Sequence, residues 1–373
     1  MKKFAVVLVF SLGLAACGGG VGGKTQITPP PPQPYEVTCT APDRSTELIP
    51  DYFRPEFQTN YQAFMAAVVQ HYSGNSSVGY IRMGLARGGE TYPALGFEND
   101  PTGVCQAAFG GWGLTSATTS VWTDYLTGML DYEKSLNSPI QLMVGLNSIY
   151  GDRGVPDAVA ARAVQDGIGI GSQGLQSSDL TNYPDCTVDW CNLFNQYTGQ
   201  VPLELQTLTQ SDSSGGGQTG SLVNLLPFAV QHNATILELY WEDWLTGFDP
   251  AYPGYDPAYA TAIQAAAAPA QVSTEVLFPP TSGAPYYSDV QTYLMTNNPA
   301  VTGATFYVKW ADVDQGPGTS PQYVFDSIDK ELQPWISKGK KVNLVIWPVS
   351  DSSPNTATPQ YVIDLLNKAA GQN

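Results

Sequence analysis

The sequence predicts an α/β protein, a single (β/α)8 barrel, because strand-like and helix-like segments alternate throughout residues 35–373. This length suits one such barrel with insertions. Eight strands are expected, at 35–39, from Val78 onward, and at 140–147, 167–172, 201–209, 234–240, 303–310 and 341–349. The main helices are expected at 57–72, 121–136, 156–165, 221–231, 258–267, 323–338 and 358–369.

Residues 1–34 are expected to precede the barrel as a signal and a linker. Lys2 and Lys3 come before an apolar run, 4–12, that is too short to span a bilayer. The run leads to Leu-Ala-Ala-Cys17, so residues 1–17 resemble a bacterial lipoprotein signal, whose cysteine is lipidated. Residues 18–34 are Gly-rich and then Pro-rich, which is typical of a linker. The resemblance implies a lipid-anchored protein of the bacterial cell envelope, on the periplasmic face or at the cell surface.

The chain is acidic, with a formal net charge of −17. This charge argues against nucleic acid or an anionic membrane surface as the main partner, because both are polyanions. A neutral substrate is easier to accommodate. We expect a monomer.

Four cysteines besides Cys17 suit two disulfides in an oxidising compartment. Cys186 and Cys191 enclose a short loop and are expected to pair, which leaves Cys39 with Cys105. The alternative is a zinc site made of all four, although the spacing lacks a paired C-x-x-C signature.

Histidine occurs only twice, as His71 and His232. This scarcity argues against a Ser-His-Asp hydrolase, an H-E-x-x-H metalloprotease and a His-rich zinc centre. Phosphate-binding and dinucleotide-binding glycine motifs are also missing from the sequence. We therefore expect neither a cofactor nor a metal. The candidate catalytic groups are carboxylates.

The segment 78–90, VGYIRMGLARGGE, is the most informative candidate for an active site. A barrel-type strand there runs into a glycine loop that presents Glu90, flanked by Arg82 and Arg87. We interpret Glu90 as the acid/base of a glycosidase. The alternative is that Glu90 is a solvated loop acid.

The stretch 301–349 resembles the opening of the clan A glycoside hydrolases, the 4/7 superfamily of TIM barrels. The residues that match are Trp310, Asp312, Gly316, Tyr323, Phe325, Asp329, Gly339 and Lys341. These elements end the chain, whereas the Glu90 loop, which resembles that of the clan's fourth strand, lies near its start. The resemblance therefore implies a circular permutation, with Tyr35 at the start of barrel strand 3 and residues 268–300 bridging the original terminal junction.

In this permuted count, segment 201–209 is the seventh barrel strand, where the clan carries its nucleophile. Leu203 and Leu205 share one face of the strand and Glu204 and Gln206 share the other, so Glu204 is expected to point into the barrel. Glu204 is the candidate nucleophile. The alternative is a buried structural ion pair of Glu204 with Arg82 or Lys309, and Glu238 on the next strand is the competing nucleophile.

The predicted reaction is retaining hydrolysis, in which an acid/base and a nucleophilic carboxylate stand roughly 5–5.5 Å apart. Gly89 departs from the common clan pattern, which has Asn before the acid/base. The residues expected to bind the substrate are Arg82, Asn147, Gln206, Tyr240, Trp310 and Trp347.

The sequence thus favours a glycoside hydrolase that acts on a poly- or oligosaccharide at the cell envelope. The alternative is a glycan-binding or surface-antigen lipoprotein that keeps the barrel without turnover. A purely structural envelope protein is a third reading. An enzyme needs both carboxylates at the carboxyl ends of the strands, whereas a binding protein needs only a groove of aromatic side chains.

Overall fold

The computed structural model describes residues 35–182, 189–212, 217–269, 272–278, 289–350 and 355–371. The predicted signal, its lipidation site Cys17 and the predicted linker lie outside these residues.

A closed barrel of eight parallel strands forms the centre of the protein. It is preceded by an antiparallel hairpin of β1 (Glu36–Thr40) and β2 (Thr46–Pro50). The barrel strands are β3 (Val78–Met83), β4 (Gln141–Gly145), β5 (Gly169–Leu175), β6 (Leu203–Thr207), β7 (Ile236–Tyr240), β8 (Ser273–Phe278), β9 (Gly303–Lys309) and β10 (Lys341–Trp347). Each strand pairs with the next in the chain, and β10 pairs with β3 to close the ring. The predicted (β/α)8 barrel is confirmed.

Helices connect the strands. They are α1 (Pro55–Tyr72), α2 (Val104–Gly111), α3 (Ser120–Ser135), α4 (Gly154–Asp166), α5 (Asp179–Asn182), α6 (Asp189–Tyr197), α7 (Leu222–Gln231), α8 (Trp241–Phe248), α9 (Pro257–Ala267), α10 (Asp289–Asn297), α11 (Trp310–Val313), α12 (Asp326–Ile336) and α13 (Gln360–Ala369). Helix α1 starts with Pro55, which suits the first turn because proline has no N–H to leave unpaired. Its apolar stripe of Phe57, Tyr61, Phe64 and Val68 is fully buried.

Two strand predictions are wrong. Segment 35–39 is not a barrel strand, because it pairs with β2 in the separate hairpin. The eighth barrel strand is instead β8, which lies within the 268–300 segment assigned to a connection. The alternation that predicts a strand does not identify its partner, and tertiary packing decided both cases.

This correction changes the count that the glycoside hydrolase resemblance implies. If β9 is the first strand, then β3 is the third rather than the fourth. Glu204 then lies on the sixth strand and Glu238 on the seventh. A ring of strands in chain order is common to permuted and unpermuted barrels, so permutation itself stays a prediction.

The disulfide between Cys39 and Cys105 is confirmed and joins the hairpin to α2. It excludes these two cysteines from the alternative zinc site. Cys191 is also disulfide-bonded, and its predicted partner Cys186 lies outside the described residues. Among the described helices, none is both long and apolar enough to cross a membrane.

Candidate active site at the mouth of the barrel

Glu90 lies in a tight turn just beyond the carboxyl end of β3. The turn is closed by the Ala86 N–H, which donates to the Glu90 carbonyl oxygen at 2.9 Å, and Gly88 and Gly89 adopt positive φ angles of 64° and 77°. A Cβ on Gly89 would lie 2.8 Å from Cδ1 of Trp347. The asparagine that many clan members carry before the acid/base would therefore clash here, as well as being strained.

Two amide side chains hold the half-buried Glu90 carboxylate. Asn147, just after β4, donates from Nδ2 to Oε2 of Glu90. Gln173 on β5, with its amide oriented to satisfy its neighbours, donates from its nitrogen to Oε1. Both carboxylate oxygens therefore accept hydrogen bonds, and three strands of the barrel define the position of this group.

Gln173 connects Glu90 to a buried arginine. The Gln173 amide oxygen accepts from Nη2 of Arg82 at 2.6 Å and from Nε at 3.1 Å. Nη1 of Arg82 donates to Oε2 of Glu204 at 2.6 Å and to Oε2 of Glu238 at 3.2 Å, while Nη2 donates to Gln206 at 3.1 Å. Arg82 has no exposed side-chain surface. Arg82 therefore lies beneath the mouth of the barrel, where it bonds Gln173, and Gln173 bonds Glu90. The sequence had predicted that Arg82 would contact the substrate directly.

A second polar layer lies below this arginine. The Tyr80 hydroxyl donates to Oε1 of Glu238, and it also bonds Oε2 of Glu275 at 3.0 Å. Asn343 and Thr305 donate to the same Glu275 oxygen, at 2.5 Å and 3.0 Å. A hydrogen-bonded network therefore runs from Glu90 at the mouth deep into the barrel.

Burial controls the protonation of this network. It raises the pKa of Glu204 well above its usual range, with Arg82 lowering it and Glu238 raising it further. Burial, with the neighbouring Glu238 carboxyl, also raises the pKa of Glu275 to about 7. One guanidinium faces the Glu204 and Glu238 carboxyls together.

The alternation predicted for β6 is confirmed. Leu203 and Leu205 are buried in the main apolar core, and Glu204 points into the barrel, where it forms the ion pair with Arg82 that was the structural alternative. The Glu204 and Glu238 side chains both have 0% exposure. The path from Glu90 to Glu204 runs through Gln173 and Arg82.

The predicted aromatic residues separate into two groups. Trp347 is 6% exposed beside the Glu90 turn and packs edge-to-face on Tyr307 at 5.1 Å. Tyr240 is half-buried near Gln206, and burial raises its pKa to about 12. Trp310, predicted to bind the substrate, is instead fully buried and stacks on Phe64 of α1. The reason is that the chain turns outward into α11 at this residue.

Sequence reasoning missed Gln173, Tyr307 and Glu275. Gln173 had a detectable signal, since Gly169, Gly171 and Gln173 alternate along β5 and mark its inward face. Glu275 was missed because its strand was. Tyr307 also bonds Gln206, at 3.0 Å.

Metal binding has no candidate among the described residues, since no group of three or more His, Cys, Asp or Glu side chains is placed to hold an ion. The fold and the site define the chain as a (β/α)8 barrel with a half-buried glutamate above a buried arginine–carboxylate network. Neither the models of known protein families nor the curated proteins contain a match to this chain.

Proposed function

We propose that this protein hydrolyses glycosidic bonds, with Glu90 as the carboxyl group that meets the substrate. The observation that carries the proposal is the position of Glu90. It is half-buried at the carboxyl ends of the strands, the face on which (β/α)8 enzymes carry their active sites. The lipoprotein-like signal favours a substrate at the cell envelope.

Glu90 is proposed as the acid/base. Because Asn147 and Gln173 donate to both of its oxygens, a substrate oxygen that bonds Glu90 would exchange with one of these amides. We expect the glycosidic oxygen of the substrate to make that exchange. Proton delivery would then be coupled to substrate binding.

Glu204 is proposed as the second carboxyl group. Arg82 holds its Oε2, whereas its Oε1 has no hydrogen-bond partner within the described residues. Oε1 is therefore the oxygen proposed to attack an anomeric carbon, with Glu204 ionised beside Arg82. Glu238 shares the same arginine and remains the competing nucleophile.

The test is hydrolysis of a panel of neutral oligosaccharides by the full-length chain and by Glu90→Gln. We expect the variant to lower kcat/KM by about 10²–10⁴, the usual contribution of a general acid/base. Glu331→Gln, on an exposed position of α12, is the matched control. Retention of the anomeric configuration, read by NMR of the first product, is expected for a Glu90/Glu204 pair. Full activity of Glu90→Gln would contradict the proposal.

One observation favours a second candidate, a glycan-binding barrel without turnover. Glu204 and Glu238 are fully buried and bonded to Arg82 and Tyr80, which is also what a purely structural network would require. In that case the wild-type chain would bind oligosaccharides in calorimetry without releasing product, and Glu204→Gln would change stability alone.

A further inference from the structure

Gln173 is the side chain that joins the buried Arg82 to Glu90 at the mouth of the barrel. It stands within residues 172–175 of β5, where the pairing with β6 shifts register. Such irregularities redirect side chains and are frequent next to active sites. The Gln173 amide lies over Gly145 of β4, where a Cβ would be 3.7 Å from the amide carbon. The amide therefore reaches Glu90 across a strand position that has no side chain.

Arg82 determines which way the Gln173 amide faces. A guanidinium group carries N–H donors and no acceptor. Its Nη2 and Nε atoms lie 2.6 Å and 3.1 Å from the amide oxygen of Gln173. The reverse orientation would direct the NH2 group of the amide at these donors, which is unfavourable. The oxygen therefore faces Arg82, and the NH2 group faces Oε1 of Glu90.

Buried acids hold Arg82 itself in place. Its Nη1 donates to Glu204 at 2.6 Å and to Glu238 at 3.2 Å, and none of these three side chains has exposed surface. Separating such a buried pair is strongly destabilising. The guanidinium, and through it the orientation of the Gln173 amide, is therefore fixed.

A donor fixed in this way favours the ionised form of Glu90. The Gln173 NH2 group can donate a hydrogen bond to Oε1 but cannot accept one from it. Hydrogen bonds donated to the charged form of a carboxyl group favour that form. Asn147 adds a second donor, to Oε2. Loss of either amide should therefore make Glu90 a weaker acid.

Three charged or titratable groups lie on the far side of Gln173. The Arg82 guanidinium favours an ionised Glu90, whereas Glu204 and Glu238 beyond it oppose ionisation when they carry charge. These groups are present both in wild type and in a Gln173 variant. They therefore do not by themselves produce a difference between the two.

Tyr307 and Arg87 are the titratable neighbours on other sides of Glu90. Burial raises the pKa of Tyr307 on β9 well above its usual range, Arg82 lowers it, and the Glu90 carboxylate is among the groups that raise it. Tyr307 is therefore neutral near neutral pH. Arg87, in the same turn as Glu90, is paired through its Nε with Glu47 at 2.8 Å.

We propose that Gln173 is a positioning residue that acts through Glu90. With its amide fixed by Arg82, it orients the Glu90 carboxylate and sets the pH at which this carboxyl group loses its proton. In the proposed reaction that pH is the upper limit of general-acid catalysis, since only the protonated group can donate. The effect on turnover rests on the proposed function, whereas the ionisation of Glu90 is measurable without a substrate.

The first measurement is an NMR titration of the full-length chain, labelled with carbon-13 at the glutamate carboxyl carbons. The signal of Glu90 is assigned by its absence from Glu90→Gln. Gln173→Met keeps the length of the side chain and removes the amide. Loss of one hydrogen bond to a charged group predicts an acid dissociation constant of Glu90 about tenfold lower in this variant.

Gln173→Glu tests the direction of the bond without relying on the methionine variant. A carboxylate at this position can still accept from Arg82 but repels the carboxylate of Glu90. We expect Glu90 to lose its proton least readily in Gln173→Glu, more readily in Gln173→Met and most readily in wild type. A side chain that only filled space would not produce this order.

Gln206→Met is the matched control. The Gln206 amide oxygen also accepts from Arg82, at 3.1 Å, and from the Tyr307 hydroxyl at 3.0 Å. We expect the titration of Glu90 in this variant to match that of wild type. An equal change in Gln206→Met and Gln173→Met would overturn the assignment to Gln173.

The second measurement is the pH dependence of kcat/KM with neutral oligosaccharides, whose upper pH limit should rise in Gln173→Met. Wild-type titration of Glu90 in both Gln173 variants would overturn the inference. A changed NMR titration with an unchanged pH limit would support the role of Gln173 and overturn Glu90 as the acid. Absence of turnover by wild type would overturn the proposed function, and the NMR titration would still decide the role of Gln173.

Discussion

Gly171 is the residue that makes room for the buried ion pair. It stands opposite Glu204 in the β5–β6 ladder, and a Cβ at this position would overlap Oε2, the oxygen that Arg82 holds. The close approach of the Glu204 side chain is what requires glycine here. The backbone does not require it, because the φ angle of Gly171 is not in the left-handed region. One missing side chain on β5 thus permits a charged one on β6.

We predict that Gly171→Ala displaces the Glu204 carboxylate from Arg82. This change leaves the buried Glu204 carboxylate without its cation, so the free energy of unfolding should fall by about 3 kcal/mol. Urea unfolding measures this change. Gly174→Ala on the same strand meets open space and should change stability little. Equal stability of both variants would contradict the account of Gly171.

At the scale of elements, the N-terminal hairpin holds the segment that carries Glu90. The buried Glu47 of β2 accepts from the Leu95 N–H at 2.7 Å and from Nε of Arg87 at 2.8 Å. The disulfide from Cys39 of β1 to Cys105 of α2 closes the far side of the same segment. The hairpin, although outside the barrel, therefore positions the candidate active site.

We predict that Cys39→Ser/Cys105→Ser loosens this segment. The disulfide spans 66 residues of sequence, for which the chain-entropy relation gives about 4 kcal/mol of stability. Hydrogen exchange should accelerate in residues 84–98 more than in β7. Uniform acceleration across the barrel would show that the disulfide stabilises the fold without positioning Glu90.

At the scale of the whole molecule, three carboxyl groups of the described barrel interior, Glu204, Glu238 and Glu275, belong to one hydrogen-bonded network. Arg82 is the cation within the layer that holds Glu204 and Glu238, and Glu275 lies below with Tyr80 and Asn343. Burial raises the pKa of Glu275 from 4.5 to about 7. Between pH 4.5 and about pH 7, Glu275 is therefore protonated in the native state and ionised in the unfolded chain.

We therefore predict that stability decreases as pH rises. Protonated Glu275 stabilises the native state fully below about pH 4.5. This contribution to the free energy of unfolding, about 3 kcal/mol, is lost as the pH rises to about 7. Urea unfolding at pH 5 and pH 8 should show a smaller difference in Glu275→Gln than in wild type. The exposed Asp124→Asn should behave as wild type does. The same pH dependence in Glu275→Gln would contradict the assignment.

The barrel was predictable because each unit carries a local signal. Segment 57–72 shows the helical period that α1 adopts, and the alternation of Leu203 to Gln206 matches the inward face of β6. Local pattern failed for 35–39, whose partner β2 was not identified, and for β8, which was read as a connection. The prediction for Trp310 failed because the strand ends there and the helix packs the ring on α1.

By itself, the sequence predicted the (β/α)8 fold and the glycine turn that presents Glu90, because periodicity and glycine spacing act within short stretches of chain. The number of cysteines, once Cys186 was paired with Cys191, predicted the disulfide of Cys39 with Cys105. Only the tertiary structure decided that Gln173 and Arg82 connect Glu90 to Glu204, and that Gly171 leaves space for that carboxyl. These contacts join residues from different strands. Their energies depend on burial and distance, which exist only once the barrel has closed.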